Sequence, residues 1–267
     1  MQLSELILNH DGSVYHLGLL PDDISDTIIL VGDQNRVGQV SKYFDSIEIK
    51  KQKREFITHS GTYHQKRITV LSTGIGSDNI DIVLNELNIL RKDTENPLTI
   101  YRLGTSGALD PETKTGSVLL STMAIGLDGL PYYYHGFEVE MARDFIEKMN
   151  WNADLAKPYL VFPDKDLLAT WSKCYPASCT LTAQGFYGPQ GRSLDENKAA
   201  FTSKELFDAG IGNIEMETAA IYALSKLFGF KALSFNVILA NRQTGSFDAH
   251  PNEKIEAMIV DFLKRLV

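Results

Sequence analysis

The chain has 267 residues, 43% of them hydrophobic, with 26 basic against 34 acidic side chains and a formal charge of −8. That balance excludes a general nucleic-acid surface, which needs clustered Lys and Arg to release counterions, and no apolar run approaches the length of a membrane span. Cys174 and Cys179 are the only cysteines, too few for a disulfide framework or a metal cluster, and the start, Met1 to Glu5, lacks a signal pattern. A single cytoplasmic α/β domain over residues 1–267 is expected, long enough to bury a sizeable core.

Strand-like runs alternate with helical patterns along the chain, the mark of an α/β sheet. Thr27 to Val31 reads as the first strand, followed by Gly32, Asp33 and a helix from Gln34 to Phe44 that carries Arg36. The basic run Lys50-Lys51-Gln-Lys53-Arg54 reads as a solvated strand edge or loop. Glu55 to Tyr63 and Arg67 to Thr73 form paired strands across a turn at His64-Gln65-Lys66. Ile80, Val83, Leu84 and Leu87 follow helical spacing, with Ser77 or Asp78 as cap. Leu98 to Tyr101, Ser117 to Ser121, Cys179 to Ala183 and Ala232 to Ala240 are further strands. A helix runs from Met216 to Leu227 and stops at Gly229; Ile255, Met258, Ile259 and Phe262 mark the last helix. The aromatic stretch from Ala124 to Trp171 shows no usable period.

Four segments carry chemistry. Arg102-Leu-Gly-Thr-Ser-Gly107, at the end of a strand, offers a guanidinium, two hydroxyls and two glycines, a set suited to a small oxyanion. The same letters are an ordinary turn composition; a second loop of like character, Val31 to Val37, strengthens the anion reading. Glu215 and Glu217 lie two apart, so an extended backbone puts both carboxylates on one face, where they can accept from sugar hydroxyls beside Met216. The alternative is acidic complementation of a helix N-terminus. A turn at Gly188-Pro189 then presents Gln190 and Arg192 beside Phe186, donors and an acceptor that match the polar edge of uracil. An exposed turn with an incidental arginine is the plainer reading of that segment alone.

Taken in order, His16-Leu-Gly-Leu19, Gly32-Asp33 with Arg36-Val37, Arg54-Glu-Phe56, Ser72-Thr-Gly-Ile-Gly76, the 102–107 segment, Phe186-Tyr187 with Gln190 and Arg192, Glu215-Met-Glu217 and Asn241-Arg242 resemble the nucleoside phosphorylase superfamily of the trimeric and hexameric type. Within it the likeness is to the branch that cleaves uridine. The resemblance implies a mixed central sheet, partly barrel-like and flanked by helices. It implies phosphate on Gly32, Arg36, Arg54, Arg102 and Thr105, and ribose on His16, Met216 and Glu217. The base would lie on Gly107, Phe186, Gln190, Arg192 and Glu215, with Arg242 ordering the base pocket. Catalysis would fall to Arg102, Thr105, Gln190, Arg192 and Arg242. His16 and Arg54 would cross into a neighbouring subunit, making a homodimer the smallest active unit, with hexamers built from three. Inorganic phosphate is a co-substrate, and no cofactor or metal is implied beyond a doubtful monovalent cation near Glu55. Partners are a nucleoside and phosphate, with no nucleic acid or membrane.

Three departures stand out. Ser77-Asp-Asn79 replaces the family's Gly-Pro-Ser, so Asp78 should cap the helix and face away, and Asn79 puts the cation in doubt. Gln34 replaces a proline, and Lys92-Asp-Thr-Glu-Asn96 lengthens a connection. Rival readings are a purine nucleoside phosphorylase, which needs an acid near Asn241 (Asp248 is the nearest downstream), a hydrolytic nucleosidase on the same fold, and a binding protein without turnover. The absence of a third glycine in Gly74-Ile-Gly-Ser-Asp-Asn79 argues against a Rossmann dehydrogenase.

Overall fold

Five strands close into a ring. In chain order they are β5 (Thr99–Ala108), β6 (Val118–Gly126), β9 (Ala177–Thr182), β10 (Asn213–Glu215) and β11 (Lys231–Asn241). β11 pairs with both β5 and β6, β6 with β9, β9 with β10, and β10 returns to β5. From β5 the sheet opens outward through β1 (Thr27–Val31), β4 (Lys66–Ser72), β3 (Phe56–Tyr63) and β2 (Ser46–Lys53). The computed structural model describes residues 6–92, 96–193 and 199–267. Most of the 92–96 connection therefore lies outside the described residues.

The expected elements are present with shifted limits, each for a local reason. β1 is almost fully buried because parallel strands, β4 and β5, flank it on both sides. The basic run lies on β2, the edge of the sheet, where lysines guard against strand addition. The β3–β4 hairpin turns on His64 and Gln65, both left-handed at φ 47° and 66°, the backbone that a two-residue turn between twisted strands demands. Helix α1 spans Gln34–Ser41, not to Phe44 as expected, although Phe44 still packs into the core. Helix α2 (Ser77–Arg91) begins after Gly76, at φ 98°, and neither Ser77 nor Asp78 caps it, contrary to expectation. Helix α6 (Thr218–Phe228) ends at Gly229, which takes the left-handed C-cap position.

Helices cover both faces. α2 and α6 bury Ile80, Val83, Leu84 and Leu87 with Ala219, Ala220, Ala223 and Leu224. On the other side, α1 and α7 (Pro251–Leu266) bury Val37 and Val40 with Ile255, Met258, Ile259 and Phe262. The stretch without a readable period resolves into a short antiparallel pair, β7 (Glu140–Met141) and β8 (Tyr159–Val161), with helices α3 (Arg143–Lys148) and α4 (Lys165–Trp171). Its aromatics serve packing. Trp171 stacks on Phe262 at 5.0 Å, and the Tyr159 ring fills the space at Gly126, where a Cβ would come within 2.1 Å of it.

Candidate active site

The segment expected as a loop, Arg102 to Gly107, is the second half of strand β5. It stays extended because β11 runs parallel beside it, pairing Ser234 with Arg102, Asn236 with Gly104 and Ala240 with Gly107, with a bulge between Ile238 and Ala240. Its glycines make room instead of turning the chain. Residues two apart share a strand face, and the Arg102 guanidinium folds over Gly104, where an added Cβ would lie 1.9 Å from Nη1.

Arg102 is only 6% exposed, and both of its Nη atoms are held. Nη1 donates to Asn236 Oδ1 at 2.6 Å, and Nη2 meets Glu217 Oε2 at 2.6 Å and Glu215 Oε2 at 2.9 Å. Burial opposes its charge, but the two carboxylates outweigh that and hold it protonated more firmly than a free arginine. Arg36 contrasts with it. It enters from the first turn of α1, where Asp33 caps the helix by accepting from Asn35 N at 2.9 Å. Arg36 is also buried, but its Nη1 reaches only the Leu103 carbonyl, at 3.2 Å, and its Nε has no hydrogen-bond partner. It has no ion pair among the described residues. Burial, then the proximity of Arg102, weaken its hold on the proton. A desolvated guanidinium of this kind is an anion seat.

The two glutamates divide the roles that were open to them. β10 ends at Glu215, whose carboxylate accepts from the Glu217 and Thr218 backbone N–H groups and from the Thr182 hydroxyl. Glu215 thus complements the N-terminus of α6 and pairs with Arg102; the base contact expected of it is replaced by these bonds. Glu217 accepts from Gly76 N at 2.8 Å, tying the α2 start to the site. Burial raises its pKa, Arg102 lowers it and Glu215 raises it again; burial prevails, and the pKa lies above the usual carboxylate value.

The third segment is a short turn of helix, Gly188–Gln190. Gln190 is 3% exposed, and its amide oxygen accepts from Arg192, which also donates to the Phe186 carbonyl at 2.7 Å and lies 3.7 Å from the Phe186 ring centre. Desolvation and the nearby Arg242 push the Arg192 pKa down to about 10. Arg242 donates to the Gln190 and Gly191 carbonyls, at 3.1 and 3.4 Å, and so anchors the turn from beneath. Asn241 is held by the Asp110 and Thr113 carbonyls, and Asp248 by His250 N.

One cavity of about 530 Å³ gathers Gly32, Arg36, Arg102, Thr105, Gly107, Phe186, Gln190, Arg192, Glu215, Met216 and Glu217. Arg242 lies behind it. His16 and Arg54 do not line it. They sit together on the outer surface around Tyr15: Arg54, left-handed at φ 53°, is 5.6 Å from the Tyr15 ring, and His16 Nδ1 bonds Glu86 Oε1 at 2.7 Å. Near Glu55, Asn79 turns its amide nitrogen toward Gly74. The cavity also has Ile75, Leu239 and Phe247 in its wall, and Asn236 holds Arg102. Sequence reasoning gave none of the four a role; the strand pairing of β11 brings in Asn236, Leu239 and Phe247, and Ile75 enters from the turn before α2.

Residues 26–266 match the Phosphorylase superfamily. The chain is 29% identical over 253 residues to a uridine phosphorylase of Thermococcus kodakarensis, covering 93% of this chain and 84% of that protein. It is 29% identical over 231 residues to a DeoD-type purine nucleoside phosphorylase of Alkaliphilus metalliredigens, covering 86% and 88%. The structure of a Trypanosoma brucei nucleoside phosphorylase with uridine phosphorylase activity superposes with a TM-score of 0.85 at 27% identity, over 97% of this chain and 98% of that one.

Proposed function

The chain belongs to the Phosphorylase superfamily, and we propose that it is a uridine phosphorylase, converting uridine and phosphate reversibly to uracil and ribose 1-phosphate. One observation carries the reading. A buried arginine with no ion pair among the described residues, Arg36 of α1 beside the Leu103 carbonyl of β5, stands at one end of a cavity, and the Gln190/Arg192 pair at the other, beyond Gly107. The Arg102 guanidinium lies over Gly104, three residues from Gly107 and roughly 10 Å of extended chain away, room for a sugar between an anion and a base.

Phosphate on Gly32, Arg36, Arg102 and Thr105 attacks the anomeric carbon while the glycosidic bond stretches. Glu217 and Met216 hold the ribose. Positive charge grows on the sugar next to the phosphate oxygens, and negative charge grows on the departing base, where Arg192 and Gln190 donate. The acceleration comes from placement and preorganised charge rather than a covalent nucleophile. Arg242 acts through the turn it anchors. No cofactor enters this scheme.

Two features favour a pyrimidine over a purine. Asp248 is bound to His250 N and is absent from the cavity wall, and the Asn241 amide is consumed by backbone carbonyls. Neither can protonate a purine N7. The buried cation at Arg36 favours phosphate over water as the nucleophile. His16 and Arg54, outside their own cavity, support a homodimer in which each reaches its partner's site, with hexamers as triples of that unit. No helix among the described residues is long and apolar enough to cross a membrane, consistent with a cytoplasmic enzyme.

The purified protein should release uracil from uridine only when phosphate is supplied, leave inosine largely intact, and sediment as a dimer or larger. Uridine left intact while inosine is cleaved, or uracil released without phosphate, overturns the reading.

A further inference from the structure

Phe247 is the aromatic residue of the cavity wall that the mechanism above leaves unused. Its ring is 69% exposed, yet it lines the same cavity as Gln190 and Arg192. A lone exposed aromatic means little. This one is held in place from several sides. Strand β12 (Ser246–Phe247) pairs back onto β11, Ala240 opposite Phe247 and Asn241 opposite Ser246. The connecting turn is fixed by Asn241 Oδ1, which accepts from Gln243 N at 3.0 Å and Thr244 N at 3.1 Å, and Gly245 supplies the left-handed residue at φ 72°. Asp248 N donates to the Leu239 carbonyl at 2.8 Å. The ring therefore stands on a braced hairpin.

Register places it at the base end. Gly107, Ala240 and Phe247 lie in one cross-strand row, since Ala240 pairs with Gly107 on one side and with Phe247 on the other. Directly paired residues present side chains to the same face. The row thus steps from no side chain at Gly107, where the Arg242 stem lies 3.4 Å from the place a Cβ would take, to a methyl and then to a ring at its edge. Phe186 is already engaged, since the Arg192 guanidinium covers its ring at 3.7 Å and Tyr187 meets it edge-on. Phe247 makes no ring or cation contact among the described residues.

We propose that Phe247 is a specificity-determining residue that packs on the flat face of the bound base, while Gln190 and Arg192 take its polar edge. Resting on the uridine reading above, this gives the ring two tasks. It binds the pyrimidine face, and it keeps water from the stretched glycosidic bond. The phosphate end is untouched by it.

The test compares Phe247→Ala and Phe247→Trp with the unsubstituted protein, in steady-state phosphorolysis and in uracil binding by calorimetry. Phe247→Ala should raise the KM for uridine about tenfold and weaken uracil binding by about the same factor, ~1.4 kcal/mol. The KM for phosphate should stay within about twofold, with melting temperature and sedimentation unchanged, as suits an exposed side chain. Phe247→Trp should keep near-normal uridine KM. Equal uracil binding and uridine KM in Phe247→Ala overturn the proposal, as does a change in subunit assembly with those constants intact. Failure of the unsubstituted protein to cleave uridine would overturn the functional reading instead, and the uracil titration still judges Phe247.

Discussion

The two ends of the cavity solve the problem of buried charge differently. At the floor, Arg102 is matched by the carboxylates of Glu215 and Glu217, and only Arg36 is left without an ion pair among the described residues. At the base end, the partners of Arg192 and Arg242 among the described residues are neutral: backbone carbonyls, the Gln190 amide and the face of Phe186. The floor is close to neutral and holds its geometry whether or not an anion is bound. The base end carries two cations with no ion pair among the described residues, and desolvation together with the nearby Arg242 depresses the pKa of Arg192 to about 10. Such an end gains most when its ligand becomes negative, which is what a departing pyrimidine does. On the function proposed above, the contrast gives ground-state anion binding to one end and transition-state stabilisation to the other.

The sharpest way to break this contrast is at Arg102. Arg102→Ala leaves Glu215 and Glu217 buried without their cation and takes a guanidinium from the proposed phosphate end, so uridine turnover should fall at least 10²–10³-fold. Steady-state phosphorolysis of uridine at saturating phosphate checks this; turnover within about tenfold of the unsubstituted protein contradicts it. Arg192→Ala should act at the other end only. Its kcat for uridine should fall by about 10²-fold with phosphate KM little changed, and an equal rise in phosphate KM would merge the two ends into one. The smallest effect concerns pH. Burial, with a further push from Glu215, raises the pKa of Glu217 despite Arg102. Glu217 therefore takes up its proton at a higher pH than an ordinary glutamate, and binding that needs the carboxylate is lost earlier on acidification. The acid limb of kcat/KM for uridine should lie above the usual glutamate range and flatten in Glu217→Gln. A limb at the ordinary glutamate position, unchanged by the substitution, would argue against this.

Most of the chemistry was legible because the residue types have few other uses together. Arg36, Arg102, Gln190, Arg192 and Glu217 were all expected in one site, and all line one cavity. What stayed hidden depends on partners distant in sequence. Gly104 and Gly107 read as turn residues, yet β11 keeps them extended, and Gly104 is small because Arg102 lies across it. Glu215 looked like a ligand contact, but the α6 N-terminus claims its oxygens. Ser77 and Asp78 looked like caps, but Gly76 holds that position and gives its N–H to Glu217, 141 residues away. The 124–171 stretch has no period because its rings answer to single neighbours, such as Trp171 to Phe262. Phe247 and Ile75 resemble scattered surface residues until a fold brings them to one rim.

The continuity of β5 makes the enzyme's gauge a piece of backbone. The interval between where the mineral ion sits and where the ring departs is counted in peptide units, shared with a neighbour on either flank, and so cannot stretch or slacken as a loop can. Sliding that strand by a single residue would displace one station by about 3.3 Å and turn its side chains to the opposite face. Evolution can therefore retune what each station grips far more readily than how far apart the stations stand.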